Sequence, residues 1–194
     1  MIYLALIALT TLAANGARQL RYIAVGLAAV TATATVIGAS VATVPELAVS
    51  GCAGLVAAGI LFVAAGDGRY GEDPGWRLWA ATFVAAIVTP VAYASFRTIS
   101  GETASLAPLE SPSEVIIEVA GIWLLSSGTA ILLTARTAVR VSLAALLMIS
   151  GVQLLVRLTP DARLGLTIIL AWLEVVIALA GAFLVVNERA ARQR

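Results

Sequence analysis

Apolar residues run along this chain in seven long blocks, each bounded by charges and turn-forming residues. The blocks predict seven helices: Ile2 to Ala14, Tyr22 to Thr43, Leu47 to Ala65, Leu78 to Phe96, Val115 to Thr134, Val141 to Val156 and Leu164 to Val186. A hydrocarbon core of ~30 Å needs about 20 apolar residues of helix. The final block, LTIILAWLEVVIALAGAFLVV from Leu166 to Val186, meets that length and carries one carboxylate, Glu174, near its middle.

Composition agrees with the blocks. Of 194 residues, 61% are hydrophobic and 12% charged, and the mean hydropathy is +1.01, far from a soluble domain, in which about a quarter of residues are charged. The fold class expected is an all-α, polytopic membrane protein with seven transmembrane helices. All twelve basic residues are arginine, which together with the Ala, Gly and Val content points to a GC-rich bacterial source. Histidine is absent and Cys52 is the single cysteine, so haem ligation, a Cys/His zinc site, an iron-sulfur cluster and an internal disulfide are excluded within this chain. A net charge of +1 without a basic run leaves no footprint for nucleic acid.

Arginine placement orients the helices. The first block has no positive segment before it, and Arg18 and Arg21 follow it, so it reads as a short first helix with its N-terminus outside. Seven spans then place nine arginines inside and three, Arg97, Arg157 and Arg163, outside, the bias that the positive-inside rule requires. The C-terminus is cytoplasmic in this scheme. Inside, the turn-rich segment from Gly66 to Trp76 leads to Trp76 and Trp79 at interface depth. Outside, the longest connector, Thr98 to Glu114, ends in Ser111-Pro112-Ser113-Glu114, a capping box with proline at the first helical position. Pro90 removes a backbone hydrogen bond from the fourth helix and is expected to kink it.

The layout also repeats. Residues 1–66 form one three-helix triplet, 77–97 a linking fourth helix and 113–194 a second triplet, all in one membrane domain. Each triplet has a basic turn (Gly16 to Arg21; Ala135 to Arg140) and an acidic proline turn (Pro45-Glu46; Pro160-Asp161). The fourth helix restores direction, so the two repeats are parallel, unlike the inverted repeats of many transporters.

The run AILLTARTAVRVSLAALLMISGVQLLV, followed by LTIILAWLEVVIALAGAFLVVNERAAR, resembles the three-helix K subunit of bacterial respiratory complex I. Over nearly its full length the chain resembles the longer form of that subunit, component E of hydrogenase-4 and formate hydrogenlyase-type complexes. The resemblance implies a non-catalytic membrane-arm subunit in the bacterial cytoplasmic membrane. It would help couple electron transfer in its partners to proton or sodium movement. Those partners would be antiporter-like membrane subunits and a peripheral hydrogenase-like arm, which alone would hold nickel-iron and iron-sulfur centres, with no cofactor in this chain. Arg136 and Arg140 match the family's basic turn, Met148 and Gly151 the ends of a Met-Glu-Asn-Gly-like stretch, and Glu174 the acid of the last helix. The chain departs at Ile149 and Leu146, where acids are expected. A complete proton wire within this subunit is thereby put in doubt.

Several polar residues are candidates for chemistry. An acid at mid-membrane depth costs about 3 kcal/mol or more unless it has a partner or a wet cavity. A buried carboxyl holds its proton more tightly, and a nearby arginine loosens it. Glu174 is therefore a candidate proton relay facing a larger subunit, or else a hydrogen-bonded residue that fixes packing. Gln153 is placed to bridge to Glu174 or to a water, although polar residues in bundles also act as interhelical links. Glu110, Glu114 and Glu118 recur every four residues on one helix face; Glu118, the deepest, is the relay candidate, and the others suit a solvated helix start. Arg18, Arg21, Arg136 and Arg140 are candidate partner contacts on inside turns, or topology anchors only. Thr31, Thr33 and Thr35 permit close helix packing, and Cys52 is expected to pack as a small residue. The alternatives to the subunit reading are an autonomous small transporter or channel and a purely structural scaffold.

Overall fold

The computed structural model describes residues 2–17, 19–66, 75–102, 112–159 and 163–192. Its elements are α1 (Ile2–Gly16), α2 (Leu20–Gly38), α3 (Val44–Ala65), α4 (Gly75–Glu102), α5 (Pro112–Thr134), α6 (Ala138–Val156) and α7 (Arg163–Arg192). Six of these helices are long and apolar enough to cross a membrane, and α1 is a shorter apolar helix. The chain is a multi-pass, membrane-type helical bundle. Arg18, Glu110, Ser111, Pro160, Asp161 and most of both long connectors lie outside the described residues.

Three boundaries differ from the sequence expectation by five residues or more: the ends of α2, α4 and α7, the last running on to Arg192 past Val186. α2 stops at Gly38, and Thr43 begins α3 as its N-cap, with Glu46 closing a capping box in which Thr43 N–H donates to Glu46 Oε2 at 2.8 Å. The Thr-x-x-Glu spacing specifies that start, and Pro45 fits the first turn, where no N–H is needed. α4 continues past Phe96 to Glu102 and runs through Pro90 as one helix. α5 starts at Pro112, as the capping segment predicts.

α2, α5 and α6 are mostly buried, whereas α3, α4 and α7 expose most of their surface. α5 packs along α6, α3 along α7, and α4 against α5; α1–α2, α2–α3 and α6–α7 pack as sequence neighbours. Glycines allow the closest approach. A Cβ on Gly121 would lie 3.1 Å from the Gly151 carbonyl, and one on Gly151 2.8 Å from the Gly121 carbonyl, so α5 and α6 touch through backbone, as small residues permit in membranes. Many hydroxyls that enter the interior are satisfied by their own helices, although Ser127 Oγ and Thr137 Oγ1 are buried without a partner among the described residues. Thr11 donates to the Ile7 carbonyl, Thr31 to Leu27, Thr33 to Ala29 and Ser150 to Leu146, which meets the rule that polar groups in hydrocarbon find internal partners.

α7 buries Thr167, Ala171, Glu174, Ala178, Gly181 and Val185, a spacing of four and three that makes one narrow seam. That seam faces α3, whose buried stripe runs Glu46, Ser50, Gly54, Ala57, Leu61 and Ala65. Glu174 and Glu46 thus lie on facing stripes. Cys52 points away from the stripe and is exposed on the bundle surface, not packed inside it.

Candidate functional site

The α2–α3 and α6–α7 turns share one end of the bundle, hereafter the Arg157 end, and the α1–α2 and α5–α6 turns share the other, the Arg140 end. Glu174 lies between them. It is 1% exposed, and Gln153 Nε2 donates to its Oε2 at 3.0 Å. Oε1 is buried without a hydrogen-bond partner among the described residues. Gly54 makes room for it: a Cβ there would lie 3.1 Å from Glu174 Oε1 and 2.7 Å from Thr31 Oγ1. Four helices therefore converge on one carboxyl. Gln153 engages Oε2, and Oε1 faces the space that Gly54 leaves.

One helical turn from Gln153, on the same face of α6, stands Arg157. It is 3% exposed and does not sit in an exterior loop as its position in the sequence suggests. Its Nη2 donates to Ser50 Oγ at 2.7 Å and its Nη1 to the Ala34 carbonyl at 3.4 Å. The guanidinium fills the space where a Cβ of residue 38 would stand, so Gly38 is required there. Glu46, 4% exposed, lies within electrostatic range of the arginine and supplies its counter-charge. Ser50 Oγ in turn donates to the Glu46 carbonyl at 2.9 Å. Arg157, Ser50 and Glu46 were not singled out from the sequence as site residues. The signals were present: the four-residue step from Gln153 to Arg157 and the Thr43-x-x-Glu46 box.

The other candidates fall into separate places. Glu118, 0% exposed, is on α5, and Arg97 Nε of α4 approaches its Oε2 at 3.4 Å while donating to Tyr93 Oη at 3.3 Å. The chain extension of α4 carries Arg97 onto a helix, where it covers Glu118. Glu114 sits in the first turn of α5, as its acidic N-terminal position favours. Arg140 corrects the expectation of a free inside-turn residue: it is 4% exposed, and its Nη1 donates to the Asn15 carbonyl at 2.9 Å and to Asn15 Oδ1 at 3.2 Å. It thus ties α6 to the C-terminal carbonyls of α1, where a cation is favoured. Arg21 and Arg136 are exposed, and Arg21 lies 5.4 Å from the Phe62 ring centroid. Arg18 is outside the described residues.

The interior between the two ends is asymmetric. Toward the Arg157 end the four helices bury Thr31, Ser50, Gln153, Arg157, Thr167 and Glu46. Toward the Arg140 end the same helices bury Leu27, Leu61, Leu143, Leu147, Ala178 and Val185. On α6 this half also buries Ser150 and Ser142, whose hydroxyls are spent on the Leu146 and Ala138 carbonyls, and, at its end, Thr137 and Arg140. Among the described residues no group of three or more His, Cys, Asp or Glu side chains gathers as a metal site. Ile149 and Leu146 are buried apolar side chains in the core. No protein-family model, curated protein or solved structure matches the chain.

Proposed function

We propose that this chain is a non-catalytic membrane-arm subunit of a complex I-like, group 4 hydrogenase-type oxidoreductase. It has seven spans in the bacterial cytoplasmic membrane, with the N-terminus outside and the C-terminus in the cytoplasm. Its role is to help couple electron transfer in partner subunits to ion movement, with Glu174 as the residue that takes up and passes on a proton. The observation that carries this reading is the buried Glu174 carboxyl, held by Gln153 through one oxygen and unpartnered at the other. A residue kept only for packing has no need of an unsatisfied oxygen in a low-dielectric interior, which costs about 1–3 kcal/mol.

Two further features support it. The helices α1–α2–α3 and α5–α6–α7 pack in the same order, and each contacts its counterpart, α1 with α5, α2 with α6 and α3 with α7, as two parallel repeats about an axis along the bundle would. Beyond Glu174 the interior toward the Arg140 end is largely apolar, with the Ser150 and Ser142 hydroxyls bonded to their own helix, a sparse lining for an autonomous channel and one that suits onward transfer to a neighbouring subunit.

The test is Glu174→Gln in the intact complex. Ion-coupled turnover is expected to fall at least tenfold, while co-purifying subunits, identified by mass spectrometry, stay the same. Unchanged coupling sinks the relay, and an active homo-oligomer without oxidoreductase or antiporter-like partners sinks the subunit assignment.

A further inference from the structure

The asymmetry of the interior bears on which side of the membrane Glu174 serves. We propose that Glu174 exchanges protons, and not sodium, with the Arg157 end only, along a buried polar half-path through Glu46, Arg157, Ser50 and Gln153. The proposal rests on the reading of Glu174 as a protonatable relay and adds its sidedness and its ion.

The spacing supports such a path. Ser50 and Gly54 on α3, and Arg157 and Gln153 on α6, are each four residues apart, about 6 Å along their helices at ~1.5 Å per residue. The two pairs face each other, because Arg157 reaches Ser50 Oγ at 2.7 Å and the space at Gly54 opens on Glu174 Oε1. A break of about one turn is short enough for one or two transient waters to bridge, since each hydrogen bond spans roughly 2.8 Å. On the opposite side, Leu27, Leu147 and Ala178 bury the next turns, and the hydroxyls present, Ser150 and Ser142 on α6, are donated to the Leu146 and Ala138 carbonyls of their own helix and stand about two turns apart. A water there would lack the two to four polar partners it needs.

The same groups favour a proton over a metal cation. Around the carboxyl stand one amide and one threonine hydroxyl already donated to the Leu27 carbonyl, too few oxygens to replace a hydration shell. The charged groups around Glu174 are few. α3 contributes Glu46, α6 Arg157 and Arg140, α2 Arg21 at its first turn, α5 Glu114 and Glu118 and α7 Glu188 and Arg189; Glu46 and Arg157 lie on the helices that form the polar half, and Glu118, toward the same end on α5, is approached by Arg97 of α4.

The experiment uses vesicles of both orientations from cells expressing the full chain with its partners. A hydrophobic carbodiimide, which modifies protonated carboxyls, is applied, and labelling at Glu174 is read by peptide mass spectrometry with the pH set separately on each face. Labelling is expected to fall about tenfold per unit of alkaline pH at the Arg157 face once the group is mostly ionised, and to stay flat when only the Arg140 face is changed. Sodium at constant pH is expected to leave it unchanged. Labelling that follows the Arg140 face, or both faces equally, overturns the sidedness, and protection by sodium overturns the proton assignment. These failures differ from loss of the coupling role, which is read from Glu174→Gln turnover and does not depend on which face sets the protonation.

Discussion

At the scale of single residues, burial and not sequence position decides what a charge does. Glu174 and Gln153 were legible because each interrupts an apolar run, and one-dimensional hydropathy is sensitive to such breaks. Arg157 and Arg140 were misread for the converse reason: both stand where a run ends, and a linear pattern does not distinguish a side chain that reaches water from one that turns into the bundle. Arg157 turns inward because Gly38 leaves it space and Ser50 and the Ala34 carbonyl accept its hydrogen bonds. Removing it leaves Glu46 without counter-charge and opens a void against Gly38. Arg157→Met is expected to destabilise the bundle by about 1–3 kcal/mol, because the buried Ser50 Oγ and Ala34 carbonyl lose their donor, while Glu46 retains its cap on the Thr43 N–H. Thermal unfolding in detergent measures this, and a variant as stable as the parent contradicts the structural role.

At the scale of the helix, α3 shows how one element separates lipid-facing from site-forming positions. Its seven buried residues recur at helical spacing, yet its apolar composition is nearly uniform, so the sequence marked the span without marking its inner face. Gly54 and Gly59 look alike in the sequence. In the bundle, a Cβ on Gly54 would collide with Thr31 and lie 3.1 Å from Glu174 Oε1, whereas one on Gly59 meets nothing within 4 Å. Gly54→Ala should therefore cost about 1–3 kcal/mol by overpacking and reduce Glu174-dependent turnover. Gly59→Ala, in open space, is expected to leave both unchanged. Equal effects of the two substitutions on stability and turnover would show that α3 does not present this face to α7. The start of α3 was recoverable from the Thr43-Glu46 spacing, but the apolar residues on either side of the turn extended α2 across it.

At the scale of the whole molecule, each apolar block lies on a helix among the described residues, six of them long and apolar enough to cross a membrane and the first shorter, because runs of this length and hydropathy have few alternatives to helix in a bilayer. Membrane orientation rests on weaker signals, and burial changes their weight. Arg140 and Arg157 are buried in the bundle and do not report on the loops, so in the proposed orientation the arginine bias becomes eight inside to two outside. The ratio rises even though one arginine is lost from each side. The proposed orientation consequently places the Ala39–Thr43 turn outside and the Ala17–Gln19 turn inside. Ser40 and Gln19 are exposed at these opposite ends, and Cys52, as the single cysteine, can be replaced by serine to give a silent background. In that background Ser40→Cys should react with a membrane-impermeant maleimide in intact spheroplasts, and Gln19→Cys only after permeabilisation. The reverse pattern would invert the bundle. The Arg157 end and the polar half leading to Glu174 would then face the cytoplasm, and proton uptake through this chain would start from the side of the peripheral arm.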